Sequence, residues 1–175
     1  NANKRGIWRT GSDGLERCPS NVTKWALKKA AENAPKVGFS ASGYARGLRR
    51  TILERVTAIH AVEFSVHNPE HGYAGTADAL IDIDGTGPYI CDWKTAKEAR
   101  SEIMINQFCC QLGAYSLALD RLTGIRPQYG AVIIARRSGA PQIKLLSTLE
   151  LRGAEAWFLE RNAHFQEKIK QPIPA

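Results

Sequence analysis

Hydrophobic and polar residues follow two periods along this chain, one typical of helices and one typical of strands. Apolar residues at helical spacing predict four helices, over 21–34, 40–56, 101–122 and 149–169. Strand-like patterns predict five strands, over 61–66, 73–83, 89–94, 129–135 and 142–146. Residues 1–20 are polar and show no clear period, so we expect a loop or an arm there. The order ααβββαββα predicts an α/β fold, with a mixed central β-sheet flanked by helices.

The link between the second and third predicted strands brings two acidic residues together. The segment Asp84-Gly85-Thr86-Gly87 is a hairpin signal. Because side chains alternate along a strand, Asp92 and Lys94 share one face of the third strand. If the hairpin closes through an odd-length turn such as Asp84-Gly85-Thr86, Asp78 lies directly opposite Asp92. Their Cβ atoms are then about 4.5–5.5 Å apart.

Two carboxylates at that separation favour metal chemistry, because they repel each other unless a cation lies between them. Mg²⁺ and Mn²⁺, which prefer oxygen ligands, suit such a pair best. A bound cation can hold a phosphate oxygen and lower the pKa of a water molecule, and Lys94 can orient that water or stabilise transition-state charge. Ordinary surface charges on an exposed hairpin are the alternative. Asp82 and Asp84 imitate the start of a calcium loop, but the later ligands are missing, so we interpret both as turn residues.

Length and charge narrow the class of protein. The 175 residues are expected to form one domain, with a basic helical part over 1–58 and an α/β core over 59–175. The net charge is +7, and residues 1–55 account for all of the excess, with 12 basic against 4 acidic side chains. This charge suits a polyanionic partner such as DNA, and a basic protein without such a partner is the alternative.

No apolar run approaches the roughly 18–20 residues of a membrane span, so we expect no membrane association.

The four cysteines do not form a recognisable metal or disulfide motif. Cys109 and Cys110 are adjacent, and no C-x-x-C pair is present. We therefore interpret the cysteines as reduced, buried apolar residues of an intracellular, cytoplasmic protein. A mitochondrial location stays open if a targeting segment has been removed.

Four sequence motifs, taken in order, resemble the PD-(D/E)XK nuclease superfamily. They match its RecB-like branch, which includes mitochondrial genome maintenance exonucleases and their bacterial and phage relatives. The resemblance covers residues 61–135 best and is weaker in the N-terminal third. The motifs are Glu63 on the first strand, Gly75-x-x-Asp78 on the second, Asp92-Trp93-Lys94-Thr95 on the third, and Gln111-Leu112-Gly113-Ala114-Tyr115 on the long helix.

The resemblance implies a restriction-endonuclease-like core and a Mg²⁺-dependent DNA exonuclease that acts on single-stranded ends or flaps, with Mn²⁺ as a substitute. It implies protein partners in replication, recombination or phage and defence machinery. Asp78, Asp92 and the main-chain carbonyl of Trp93 would hold the metal, and Lys94 would be the catalytic lysine. The implied supporting residues are Glu63, which would assist the metal site, and Gln111 and Tyr115, which would reach the site or a DNA phosphate.

One expected residue of the family is missing. The branch usually carries a histidine on an upstream helix, whereas the nearest match here, Arg46-Gly47-Leu48-Arg49-Arg50-Thr51, has none. His60 either replaces that histidine or is unrelated to it. The rival hypothesis is therefore a nuclease fold that binds DNA without cutting it. A sequence-specific restriction endonuclease is a third option.

The candidate DNA-binding residues are mostly arginines. Arg46, Arg49 and Arg50 lie within one helical turn, and a guanidinium can bond two phosphate oxygens at once. Thr95, next to the catalytic lysine of the motif, is added to this group. Three aromatic residues are candidate stacking surfaces for an unpaired base, with an ordinary core or surface position as the alternative: Trp8, Tyr44 and Tyr73.

Overall fold

A computed structural model describes residues 9–10, 16–17, 40–137 and 139–169 of the chain. The helix expected over 21–34, together with Trp8, lies outside these ranges. The described strands are β1 Arg9–Thr10, β2 Glu16–Arg17, β3 Val56–Asn68, β4 Tyr73–Ile83, β5 Thr86–Ala96, β6 Tyr129–Arg136 and β7 Gln142–Leu146. The described helices are α1 Ser40–Thr51, α2 Glu102–Thr123 and α3 Thr148–Ile169.

The five longer strands form one mixed sheet in the order β3-β4-β5-β6-β7. Neighbouring strands are antiparallel except β5 and β6, which are parallel and joined through α2. This confirms the expected α/β class with a mixed sheet flanked by helices. The short strands β1 and β2 pair with each other, so part of the segment expected to be a loop is β-paired.

Helices cover both faces of the sheet. On one face, Ile90 and Val132 pack in a buried cluster with Leu112 of α2 and Leu151 of α3. On the other face, a second cluster contains Ile52 just after α1 and has Leu48 of α1 packed against it. The arginine-rich helix α1 therefore lies on the face opposite to α2 and α3.

The second predicted helix, over 40–56, ends earlier in the structure than expected. It stops at Thr51 and is followed by a short 3₁₀ turn over Leu53–Arg55. Arg55 is tied to the tip of the β4–β5 hairpin, because its guanidinium donates two hydrogen bonds to Asp84 and its carbonyl accepts one from the Asp84 backbone. Strand β3 then begins at Val56 and pairs along β4 past two irregularities, which break the alternation that had limited the prediction to 61–66.

Among the described residues, no helix combines the length and apolarity needed to cross a membrane. Cys91, Cys109 and Cys110 are free and buried, and burial raises the pKa of each thiol. These three therefore match their interpretation as small buried residues, while Cys18 lies outside the described ranges.

Helix α3 begins with a reciprocal cap between Ser147 and Glu150. The Ser147 hydroxyl accepts from the Glu150 backbone N–H at 3.3 Å, and the Ser147 backbone N–H donates to the Glu150 carboxylate at 2.8 Å. Lys144 donates to the same carboxylate at 2.5 Å. This Lys144 hydrogen bond and the Ser147 contacts lower the pKa of Glu150 from 4.5 to about 2.

Replacement of Glu150 by glutamine is expected to lower the free energy of unfolding at pH 7 by about 0.5–1 kcal/mol, because glutamine retains an acceptor for the cap but loses the charge that pairs with Lys144 at this exposed site. Because the folded pKa lies below the unfolded value, this stability is present above pH 4.5 and is lost as the pH falls towards 2. Urea unfolding of both proteins across that range measures it. Glu98→Gln, on an exposed loop, is the control. A gap between wild type and Glu150→Gln that stayed constant down to pH 2.5 would contradict this reasoning.

Candidate metal centre

Strand pairing places the two predicted carboxylates opposite each other. The pairs Ala79–Cys91 and Leu80–Ile90 fix the register of β4 and β5, in which the next positions are Asp78 and Asp92. The ladder of paired residues stops at Ala79–Cys91. The two acids therefore lie at the position that follows the end of this ladder.

The turn that joins β4 and β5 differs from the odd-length turn expected from the sequence. The turn contains two residues, Asp84 and Gly85, both with positive φ (51° and 74°), and Ile83 pairs directly with Thr86. A register shift between Ile81 and Ile83 adds the extra residue that an odd-length turn would have supplied. The odd-length turn was thus wrong, although the opposition of the acids that it implied is present.

Asp82 is also not a turn residue. It lies within β4, and its carboxylate is 2.8 Å from Nε2 of His60. Asp82 contacts His60, and Asp84 forms an ion pair with Arg55. Both carboxylates therefore have protein partners instead of acting as ligands of a calcium loop. His60 therefore contacts Asp82, and no hydrogen bond joins it to Asp78 or Asp92 within the described residues.

Asp78 is held by the backbone of the neighbouring strand. Its Oδ2 accepts a hydrogen bond of 2.7 Å from the backbone N–H of Trp93. A side chain thus replaces a backbone acceptor at the point where the β4–β5 ladder ends. This bond fixes the carboxylate of Asp78 beside the segment that carries Asp92 and the Trp93 carbonyl.

Asp92 is a buried carboxylate with one unsatisfied oxygen. The residue is 2 % exposed, and its Oδ1 accepts a hydrogen bond of 2.8 Å from Nζ of Lys94. Its Oδ2 is buried and has no hydrogen-bond partner among the described residues. Burial raises the pKa of Asp92, Lys94 partly offsets this rise, and Asp78 adds to it. A buried, unpaired carboxylate oxygen costs stability, and a cation between the two acids would relieve that cost.

Lys94 is positioned by three neighbours. Besides Asp92, its ammonium donates to Oε1 of Gln111 at 3.3 Å and lies 5.3 Å from the ring centroid of Phe108. Nε2 of Gln111 in turn donates to the Tyr115 hydroxyl at 2.6 Å. The amine is thereby fixed over the Asp92 carboxylate instead of extending into solvent.

The residues that position Lys94 from helix α2 lie on one stripe, meaning one side, of that helix. Phe108, Gln111 and Tyr115 are spaced by three and four residues and so lie on the same side of the helix. Phe108 was missed by the sequence analysis, although its position three residues before Gln111 on that stripe would have indicated it. The close packing of Tyr115 explains why position 75 of the Gly75-x-x-Asp78 motif is glycine. A Cβ at this position would lie 2.7 Å from Cε1 of Tyr115.

Glu63 lies opposite Asp78 across β3 and β4, between the pairs Val62–Ala79 and Phe64–Ala77. It has a positive φ of 46°, which is strained for a residue with a side chain. Its carboxylate is exposed and forms no hydrogen bond or ion pair with any described residue. The structure therefore brings Glu63 next to Asp78 along the sheet without joining the two side chains.

The described residues contain no cluster of three or more His, Cys, Asp or Glu side chains that could hold a metal ion. A cation at this site would have Asp78, Asp92 and the Trp93 carbonyl as protein ligands, with water completing the shell. Mg²⁺ commonly binds in this way, through one or two carboxylates and several waters. The residues present are thus compatible with Mg²⁺ and less so with Zn²⁺, which prefers histidine and cysteine.

The candidate DNA-binding residues lie on two elements, α1 and β5. Arg49 and Arg50 are exposed on α1, and Nε of Arg49 lies 3.4 Å from Oε1 of Glu54. Thr95 is exposed near the end of β5, and the side chain of Arg46 lies outside the described set. Tyr73 is a structural residue instead of a stacking surface, because its hydroxyl donates to Ala114 and its ring packs edge-on against Phe158.

Comparison with models of known protein families gives no match for this chain, and comparison with curated protein sequences gives none either.

Proposed function

We propose that this chain is a Mg²⁺-dependent nuclease that hydrolyses phosphodiester bonds at single-stranded DNA ends or flaps. The observation that carries the proposal is the buried carboxylate of Asp92, a residue that the strand register places opposite Asp78. Its Oδ1 accepts a hydrogen bond from Lys94, and its Oδ2 has no partner among the described residues. Two carboxylates can hold a divalent cation and an ammonium can stabilise developing negative charge, and metal-assisted phosphodiester hydrolysis uses both contributions. The four-motif resemblance to RecB-like nucleases supports the same reaction class.

In this mechanism Asp78, Asp92 and the Trp93 carbonyl would hold Mg²⁺, which would supply Lewis-acid activation of the phosphate and of the attacking water. The side-chain nitrogen of Lys94, which lies 2.8 Å from Oδ1 of Asp92, would stabilise the negative charge that develops on the phosphate oxygens. Gln111 and Phe108 keep the ammonium in place, so little reorganisation is needed in the transition state.

A DNA-binding subunit without catalysis is the second candidate. Two observations favour it: the family's upstream histidine is missing, and His60 is hydrogen-bonded to Asp82 instead of either metal-site acid. Such a protein would keep the basic surface and the fold but lack one group needed for turnover.

A single-stranded oligonucleotide labelled at one end separates the two candidates. Incubation with Mg²⁺ is expected to shorten the strand progressively, and EDTA is expected to stop the reaction. Unchanged strands that are nevertheless retarded on a native gel would support the binding subunit. Discrete internal fragments from duplex DNA would instead support a restriction endonuclease.

A further inference from the structure

The carboxyl ends of the parallel strands β5 and β6 lie side by side and continue into two neighbouring loops. The described residues of the first loop are 97–101, and those of the second are 137 and 139–141. They are joined where the Arg137 backbone N–H donates to the Ala96 carbonyl at 3.1 Å. The Gln142 side chain also bonds both the backbone N–H and the carbonyl of Arg100, at 2.6 and 3.1 Å. The two loops thus form one surface.

This surface is cationic. Its basic residues form no ion pair with any carboxylate in the described part of the chain, and Glu98 is the one acidic residue in the two loops. We call it the cationic edge, defined by Lys97, Arg100, Arg136 and Arg137. Three of these residues are exposed, whereas Arg136 is half-buried and donates to the Ala140 carbonyl at 3.3 Å.

The cationic edge adjoins the candidate metal centre. In the β5–β6 register Lys94 pairs with Ile134, and Ala96 pairs with Arg136 two residues further on. At about 3.3 Å per residue, the edge begins roughly 7 Å beyond the backbone of Lys94. Ligands of open α/β sheets commonly bind at the carboxyl ends of the strands, which is where these four side chains lie.

We propose that the cationic edge binds the backbone phosphates of a single-stranded nucleic acid next to the phosphate held at the candidate metal centre. This inference rests on the proposed function. Composition alone does not indicate this surface, since the excess positive charge is concentrated in residues 1–55. Helix α1, which carries all three arginines singled out from the sequence, packs on the sheet face opposite to α2.

A matched pair of double variants tests the inference. Lys97→Gln/Arg137→Gln removes two exposed charges from the edge, and Arg121→Gln/Lys168→Gln removes the same two residue types from the ends of α2 and α3. Binding of a fluorescent oligodeoxythymidine is measured by anisotropy in EDTA between 50 and 200 mM salt, after circular dichroism has verified the fold. Loss of two phosphate contacts should reduce the slope of log affinity against log salt by about 1.4 and weaken binding roughly tenfold at the lower salt.

The Arg121→Gln/Lys168→Gln control is expected to keep the wild-type slope. An edge variant with the wild-type slope and affinity, or a control that loses as much as the edge variant, would overturn the inference. Because binding is measured without metal, the result is independent of cleavage. If the wild type binds through the edge but does not cut, the proposed function fails alone. If it cuts while the edge variant binds like the wild type, this inference fails alone.

Discussion

Replacement of Lys94 by methionine is expected to reduce the rate of Mg²⁺-dependent strand cleavage about 10²–10³-fold, the usual cost of losing one group that stabilises transition-state charge. Methionine retains much of the apolar stem but removes the ammonium that contacts Asp92 and Gln111. Single-turnover cleavage of an end-labelled strand measures the loss. Lys168→Met, at an exposed lysine in the last turn of α3, is the matched control and is expected to cut normally.

The isosteric change Asp92→Asn separates loss of activity from loss of folding. Burial raises the pKa of Asp92 in the folded protein. The folded protein therefore loses stability as the pH rises from the unfolded-state pKa of Asp92 to its folded-state pKa, and the loss persists at higher pH. Asparagine carries no charge, so the variant should melt at a temperature no lower than wild type at pH 7 while losing cleavage. A Lys94→Met or Asp92→Asn protein that cut at the wild-type rate would show that the roles are assigned wrongly.

Gly113→Ala is expected to destabilise the protein by about 3 kcal/mol, at the upper end of the range for overpacking. A Cβ at Gly113 of α2 would lie 2.5 Å from the carbonyl carbon and oxygen of Ala154 and 2.6 Å from the backbone nitrogen of Glu155 on α3. These are backbone atoms, so the two helices must move apart. Alanine has the better helix propensity by about 1 kcal/mol, and the packing cost exceeds that gain.

Gly153→Ala is the control for Gly113→Ala, because a Cβ at Gly153 would contact nothing within 4 Å. That variant should be more stable than wild type by about 0.5–1 kcal/mol. Chemical denaturation of the three proteins compares them. Unchanged stability of Gly113→Ala would mean that α2 and α3 do not cross as closely as described. The expected separation would also displace Gln111 and Tyr115, so cleavage should fall with stability.

Elements with strong local signals could be predicted from the sequence. Helix α2 was predicted over 101–122 and runs over Glu102–Thr123, because Ser101 caps its start and Gly124 ends it in a left-handed conformation. The bounds of β4 and β7 were predicted without error, since turn residues or charged segments flank each apolar run. The spacing of Gln111 and Tyr115 on one helix face was equally readable.

Features that depend on contacts between distant segments could not be predicted. The irregularity between Ile81 and Ile83 sets the register of the two acids, yet a bulge leaves no reliable mark in an alternating pattern. The end of α1 depends on Arg55 reaching Asp84 across the hairpin tip. The close approach of the two helices at Gly113 appears only once α2 is packed on α3.

Calorimetric titration with Mn²⁺ and Mg²⁺ tests the metal centre most directly. Wild-type protein is expected to take up the cation saturably, and Asp92→Asn is expected to lose that uptake while Asp120→Asn, on the far part of α2, retains it. Absence of uptake by the wild type, or undiminished uptake by Asp92→Asn, would contradict a cation held between Asp78 and Asp92.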